Sequence, residues 1–250
     1  IMYVNSPLRM PGATLMTRLN VYSSLSPDNQ VSGTPHMHLA CTEMYVALSG
    51  RGAVELIDRN GFSRVELNPH DALLFSPGTI HRLINPDGNF EILVIMQNSG
   101  LPERGDNVVT FTEELLSNDR SYHEAMTVKT LEDAYLRRDR GVVGFSQLKA
   151  AFDENIETGQ RALEKFYNYA ADRTEVYQIQ WGEIVSQGAI AAAQETLDQL
   201  NQLKNKDTSY LLHNSYAVIR QSNANKLGFC GHLDRYFDPA TLMLEGKAVS

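Results

Sequence analysis

Four side chains in two short stretches carry the clearest chemistry in the sequence: His36 and His38 in His36-Met37-His38, Glu43 five positions on, and His81. Neutral imidazole nitrogens and a carboxylate oxygen are donors that first-row divalent metals accept, and four protein donors leave positions open on a six-coordinate ion. A His-x-His pair on a β-strand puts both rings on one face, because side chains alternate with period two. The odd spacing from His38 to Glu43 would send the carboxylate to the opposite face of one regular strand. A tight turn over residues 39–42, followed by a returning strand, brings it back. The turn signal Pro77-Gly78 delivers His81 at the start of the next strand. A lone histidine reads more readily as a hydrogen-bonded core residue; four ligand types at these spacings favour a metal.

The two stretches resemble the two motifs of the cupin superfamily, G(X)5HXH(X)3–4E(X)6G and G(X)5PXG(X)2H(X)3N. The matching positions are His36, His38, Glu43 and Gly50, then Gly78, His81 and Asn85. The first glycine of motif one falls at Gln30, with Gly33 nearby, and motif two has His70 and Ser76 where a glycine and a proline are expected. These departures lie at scaffold positions and leave the ligand positions intact. The resemblance covers about residues 15–100. It implies a double-stranded β-helix with His36, His38, Glu43 and His81 as metal ligands, and a homodimer, since such barrels commonly pair through their sheets.

The surrounding residues suit such a barrel independently. Leu15–Leu25 alternates loosely, Glu43, Tyr45 and Ala47 share one face, and residues 53–57 and 62–67 flank Asn60-Gly61 as a hairpin expected to turn in type I′ geometry. Residues 72–75, 81–84 and 90–96 complete a set of short strands broken by turn residues. After Gly100-Leu101-Pro102 the apolar period shifts to that of a helix. Helices are expected over 111–116 and 122–138, with Arg137 to Arg140 as a solvated end, or alternatively an anion site. Phe145, Leu148, Phe152, Ile156, Leu163 and Phe166 form the stripe of one long helix, and Val176, Ile179, Ile184, Ala189, Ala193, Leu197 and Leu200 that of a second. Asp207-Thr208 reads as the cap of a third helix running to Ile219. The expected fold is therefore α+β: a cupin, or jelly-roll, β-barrel over 1–105, then a mainly α-helical domain over 106–250. Residues 228–236 read as a structured turn, with a lid or pocket wall as the alternative. His123 and His213 read as structural, and His70 as a turn residue outside the barrel.

Composition bounds the function. A net charge of −8 without a basic patch argues against nucleic-acid binding. No apolar run approaches the ~20 residues of a membrane-spanning helix, and no leader-like segment follows Ile1, a start compatible with a trimmed leader. Two cysteines make no disulfide framework, so a reducing, cytoplasmic setting is the default. Cys41 reads as a small buried residue beside the ligands.

These readings converge on a metal-dependent enzyme acting on a small organic substrate. Its ion would be held by His36, His38, Glu43 and His81, with Tyr45, Ala47, Met96 and Phe75 as walls, and Glu43 and Tyr45 as catalytic candidates. Fe(II) with an oxygenase or dioxygenase reaction leads; Mn, Ni or Zn acting as a Lewis acid in an isomerase, lyase or decarboxylase is the alternative. A binding or sensing module without turnover, and a structural cupin assembling through its helices, complete the alternatives.

Overall fold

The computed structural model describes residues 10–98, 100–214, 216 and 225–236. Eight strands come first: β1 (Leu15–Val21), β2 (His36–Met37), β3 (Glu43–Ser49), β4 (Gly52–Asp58), β5 (Gly61–Leu67), β6 (Ala72–Phe75), β7 (Ile80–Ile84) and β8 (Glu91–Met96). A two-residue strand β9 (Val108–Val109) leads into helices α1 (Glu113–Leu116), α2 (Asp119–Met126), α3 (Leu131–Glu154) and α4 (Ile156–Val185). A π-helical turn, Ser186–Ile190, joins α4 to α5 (Ala191–Lys204), and strands β10 (Lys226–Leu227) and β11 (Gly231–Arg235) follow.

The strands form two antiparallel sheets, in the orders β10-β11-β1-β8-β3-β6 and β5-β4-β7-β2-β9. In the first sheet burial alternates strictly along β1 and β8, as expected when one face meets the core and the other meets water. In the second, β7 is buried throughout and β4 nearly so, because both faces are covered. One looks into the sandwich; the other carries the helices. Two apolar clusters result. The first fills the sandwich around Leu19, Tyr45, Val54, Phe90 and Ile92. The second lies between the five-stranded sheet and α1 to α4, with Met37, Ile80 and Val109 meeting Phe145, Leu163 and Phe166. Gly144 permits the closest approach: a Cβ there would lie 2.1 Å from the carbonyl oxygen of Thr110.

The expected architecture is present, a two-sheet cupin-like sandwich followed by a helical region. The expected division at 105 does not coincide with a break in the sheets. Val108 pairs with Met37, and β11 pairs with β1 along Val21 to Thr17, so the chain returns to the sandwich after the helices. The hairpin of β4 and β5 forms around Arg59-Asn60, but Gly61 takes the positive φ of 112° and Asn60 does not. The turn is therefore not type I′.

The helical expectations need five corrections. The helix expected over 122–138 ends at Met126, and α3 starts anew at Leu131. There the Thr130 hydroxyl accepts from Asp133 N–H and the Asp133 carboxylate accepts from Thr130 N–H, a reciprocal cap. Arg137 to Arg140 is thus mid-helix, and Arg137 and Arg138 are buried rather than solvated. The stripe from Phe145 to Phe166 belongs to two helices, broken at Asn155, whose extended backbone ends α3 and whose side chain accepts from Thr158 N–H to open α4. The stripe from Val176 onward is mostly not core: Val176 and Ile179 are 78% and 83% exposed and no residue of α5 is buried, although Ile184 packs on the sandwich core. Finally, Ser209–His213 is a short 3-10 turn, and residues 217–219 of the helix expected to follow Asp207 lie outside the described residues. No helix among the described residues is long and apolar enough to cross a membrane.

Candidate metal centre

The centre lies between the two sheets. His36 sits on β2 directly opposite His81 on β7 in the five-stranded sheet. Glu43 faces them from β3 in the six-stranded sheet, in an inner-face row that runs Leu15, Met96, Glu43, Phe75. The turn expected over residues 39–42 does not return the chain beside β2. It carries the chain from one sheet to the other, and that crossing, rather than a hairpin, solves the parity problem. His38 lies just past the end of β2 and still converges with the other two rings.

All three imidazoles are buried, and a nitrogen from each lies within 4.8 Å of the other two. Glu43 Oε2 is 3.2 Å from His38 Nε2 and 3.1 Å from His81 Nε2. The opposite nitrogens are tied down. His36 Nδ1 donates to the Thr34 carbonyl at 2.9 Å, His81 Nδ1 to the Thr79 carbonyl at 3.0 Å, and His38 Nδ1 to the Asp106 carbonyl. A carbonyl can only accept, so Nδ1 carries the proton in each ring and, in the neutral form, the Nε2 lone pair remains for the centre. This outer hydrogen bond is the usual means of orienting a metal-binding histidine.

The inward atoms have no such partners. His38 Nε2, His81 Nε2 and Glu43 Oε2 are buried without a hydrogen bond, an arrangement that protein interiors rarely tolerate. Two lone pairs aimed at a carboxylate require a positive charge among them. A proton supplies it in part. Burial disfavours charge on His38, but the Glu43 carboxylate outweighs it and raises the His38 pKa. Burial also works against the charged Glu43, yet His81 and His38 hold its pKa well below the usual range. His36 is kept neutral by burial and by the neighbouring histidines. A divalent cation among the three imidazole nitrogens would satisfy them together and balance the adjacent Glu43 carboxylate, and such nitrogen donors fit a first-row ion. The residues fit the group.

Tyr45 neighbours Glu43 on the same strand face, its phenol kept protonated by burial and by that carboxylate. Behind the centre the Phe75 ring packs 4.4 Å from the His81 ring. Tyr45 and Met96 line a cavity of about 400 Å³ that opens from the cluster. Of the other expected walls, Phe75 and Ala47 belong to the apolar core instead.

Residues 228–236 supply the opposite wall. Phe229 stacks on His36 with ring centres 5.0 Å apart, and Arg137 of α3 covers its other face at 4.1 Å. Arg137 and Tyr22 both donate to the Gly228 carbonyl, at 2.8 and 2.9 Å. Cys230 is buried with its thiol pushed up to about 12 by that burial, and its Sγ lies 3.9 Å from His36 Nδ1. Cys41 is likewise a buried free thiol. Sequence reasoning missed Asp106, whose carboxylate also caps Leu39 N–H and Ala40 N–H, and it missed Arg137 and Phe229. The repeated Thr-x-His of Thr34 and Thr79 was a local signal for the carbonyl ties; nothing local pointed to the others. His70 is at a turn with φ of 79°, and His123 and His213 are in helical segments, all away from the centre.

A model of the cupin domain matches residues 24–96. This segment is a cupin domain. Among 189 matching chains of solved structures are a TDP-fucose-3,4-ketoisomerase from Campylobacter jejuni and a conserved protein with a double-stranded beta-helix domain from Klebsiella pneumoniae. The first is 17% identical, with 33% of this chain and 58% of that chain covered and a TM-score of 0.28. The second is 13% identical, with 39% and 81% covered and a TM-score of 0.29. A DMSP lyase from Ruegeria pomeroyi is 24% identical over 27% of this chain and 32% of that chain, with a TM-score of 0.24. The chain thus spans little more than half of the ketoisomerase it matches. No protein of curated function matches it in sequence. In the cupin domain, the histidines and Glu43 stand at the motif positions.

Proposed function

We propose that the cupin domain holds a divalent transition metal on His36, His38, His81 and Glu43 and acts on a small organic substrate, with an Fe(II)-type oxygenase as the leading reaction. The observation that carries the reading is the set of buried, unpartnered Nε2 and Oε2 atoms aimed at one point, beside a cavity of about 400 Å³. Bound there, an ion supplies a Lewis-acidic, and for iron a redox-active, centre for a substrate oxygen. The chain's own groups do the rest. Three carbonyl-tied imidazoles hold their Nε2 atoms inward, and Glu43 offsets charge. Leu15, Val94 and Met96 give the cavity apolar walls, which strengthen electrostatic interactions beside them.

A second reading has its own support. Tyr45, held as a neutral phenol next to the Glu43 carboxylate, forms a donor and acceptor pair suited to moving a proton at carbon next to a carbonyl. That is isomerase or lyase chemistry. Elemental analysis of protein purified without chelator, followed by O2 uptake after anaerobic Fe(II) loading, separates the readings. About one iron per chain, with uptake stimulated by a substrate, supports the oxygenase. Zinc, nickel or manganese without uptake supports proton-transfer chemistry, and no metal under either condition refutes both.

A further inference from the structure

We propose that the cavity beside the imidazole cluster takes a small organic acid, gripped by its carboxylate at Arg235 with its other end at the cluster. The proposal rests on the cluster being the reacting end of that cavity.

The sheet register carries the argument. In β11, Arg235 stands opposite Thr17 of β1, which stands opposite Val94 of β8 and then Tyr45 of β3. Cross-strand partners share a face, and Thr17, Val94 and Tyr45 are the buried, inward positions of their strands. The half-buried Arg235 therefore stands at one end of an inner-face row whose other end adjoins Glu43. The same cavity is lined by Arg235, Thr17, Val94 and Tyr45 and by the histidines. Three interstrand steps of about 4.8 Å separate Arg235 from Tyr45, about 14 Å in all between backbones. The arginine side chain spans a good part of that distance, so its guanidinium and the imidazole cluster can address opposite ends of one small molecule.

The wall between them is largely apolar, with Leu15, Leu19, Val94, Leu227 and Leu233 in the lining. A guanidinium at the end of an apolar cavity suits a carboxylate, which it can bind through two parallel hydrogen bonds. Lys226 shares the lining and adds positive charge. Glu103 also lines this end; burial raises the pKa of its carboxylate, and the charge of Arg235 pulls it the other way.

Titration calorimetry on the full chain tests this, using straight-chain acids from propanoate to octanoate against the amides of the same length. Chelator-treated and zinc-loaded protein are both titrated. The acids are expected to bind about tenfold or more tightly than the amides in both forms. Arg235→Gln should erase that preference while zinc stoichiometry is unchanged. Equal affinity for acids and amides overturns the proposal, as does the absence of acid binding. A preference seen only with zinc overturns it too, since the carboxylate would then sit on the ion. Failure to take up zinc, with the acid preference intact, would sink the metal reading and leave this one standing.

Discussion

Two clusters of buried polar groups in this molecule are treated differently. Between the five-stranded sheet and the helices, Arg138 is 1% exposed and gives its hydrogens to Asp139, to the carbonyls of Ser24, Leu25 and Ser32, and to the Ser24 hydroxyl. Arg82 is paired there with Glu55 and Asp28 and lies over Phe145, with only its Nη1 left without a partner. Inside the sandwich, by contrast, His38, His81 and Glu43 leave atoms without hydrogen bonds that point at one another. The Arg138 network closes on itself and fixes one packing of helix on sheet. The imidazole cluster is held rigid from outside and incomplete within. An unpaired buried group is costly, so a site that keeps several is arranged around something it binds.

Changes on the two sides of this contrast should have separable effects. The largest is expected at the cluster: His81→Ala or His38→Ala should abolish stoichiometric metal with the fold retained, and metal content by elemental analysis would expose unchanged loading. Next, Arg138→Ala removes the donor to five acceptors, most of them part-buried, and should cost about 3–5 kcal/mol in denaturant-induced unfolding. Any Arg138→Ala protein that stays folded should still bind one metal; if it did not, the two regions would not be separable.

Arg137 bridges them, because it reaches His36 only through Phe229. Arg137→Met should weaken metal binding about tenfold and lower stability by roughly 1–2 kcal/mol through loss of the ring contact and the bond to Gly228. Competition with a chelating dye would detect the first effect, and its absence would make the bridge purely structural.

The pH dependence should reverse with metal. A raised folded-state pKa for His38 stabilises the metal-free protein below its unfolded value of 6.5, and that contribution is lost as pH rises through the raised value. His36, whose pKa is lowered, is neutral in both states above 6.5 and drops out there. The depressed Glu43 contributes fully above 4.5 and loses its effect only as pH falls. As pH rises above 6.5 these groups therefore make metal-free protein progressively less stable, whereas metal binding strengthens as its ligands lose protons. Thermal melts from pH 6.5 to 9 with and without zinc would show parallel slopes if the cluster did not bind it. The smallest effect belongs to the exposed stripe: Ile179→Ser should change the unfolding free energy by less than about 0.5 kcal/mol.

Much of the site was legible in one dimension because its donors are chemically unusual and its strands are short. Three histidines and a glutamate at motif spacing, flanked by alternating apolar residues, constrain both chemistry and sandwich. The helical half was harder. A period of 3.6 locates an apolar stripe but does not say whether a body lies against it, so the stripes of Phe145 to Phe166 and of Val176 to Leu200 look alike while only the first is mostly buried. The run from Arg137 to Arg140 looked solvated because charge normally is; whether acceptors await it depends on carbonyls of loops more than a hundred residues away.

Residue types and local spacing thus determined the candidate donors, the strand and turn order of the sandwich, and the change to helix near residue 100. Tertiary structure alone decided that the chain crosses between sheets at residues 38–43, that Asp106 orients His38, and that residues 226–235 return to wall the cavity with Phe229 and Arg235. The reason is physical. Donor chemistry and backbone periodicity belong to neighbouring residues, whereas a hydrogen-bond partner, a stacked ring or a covering helix depends on which distant segments folding brings together.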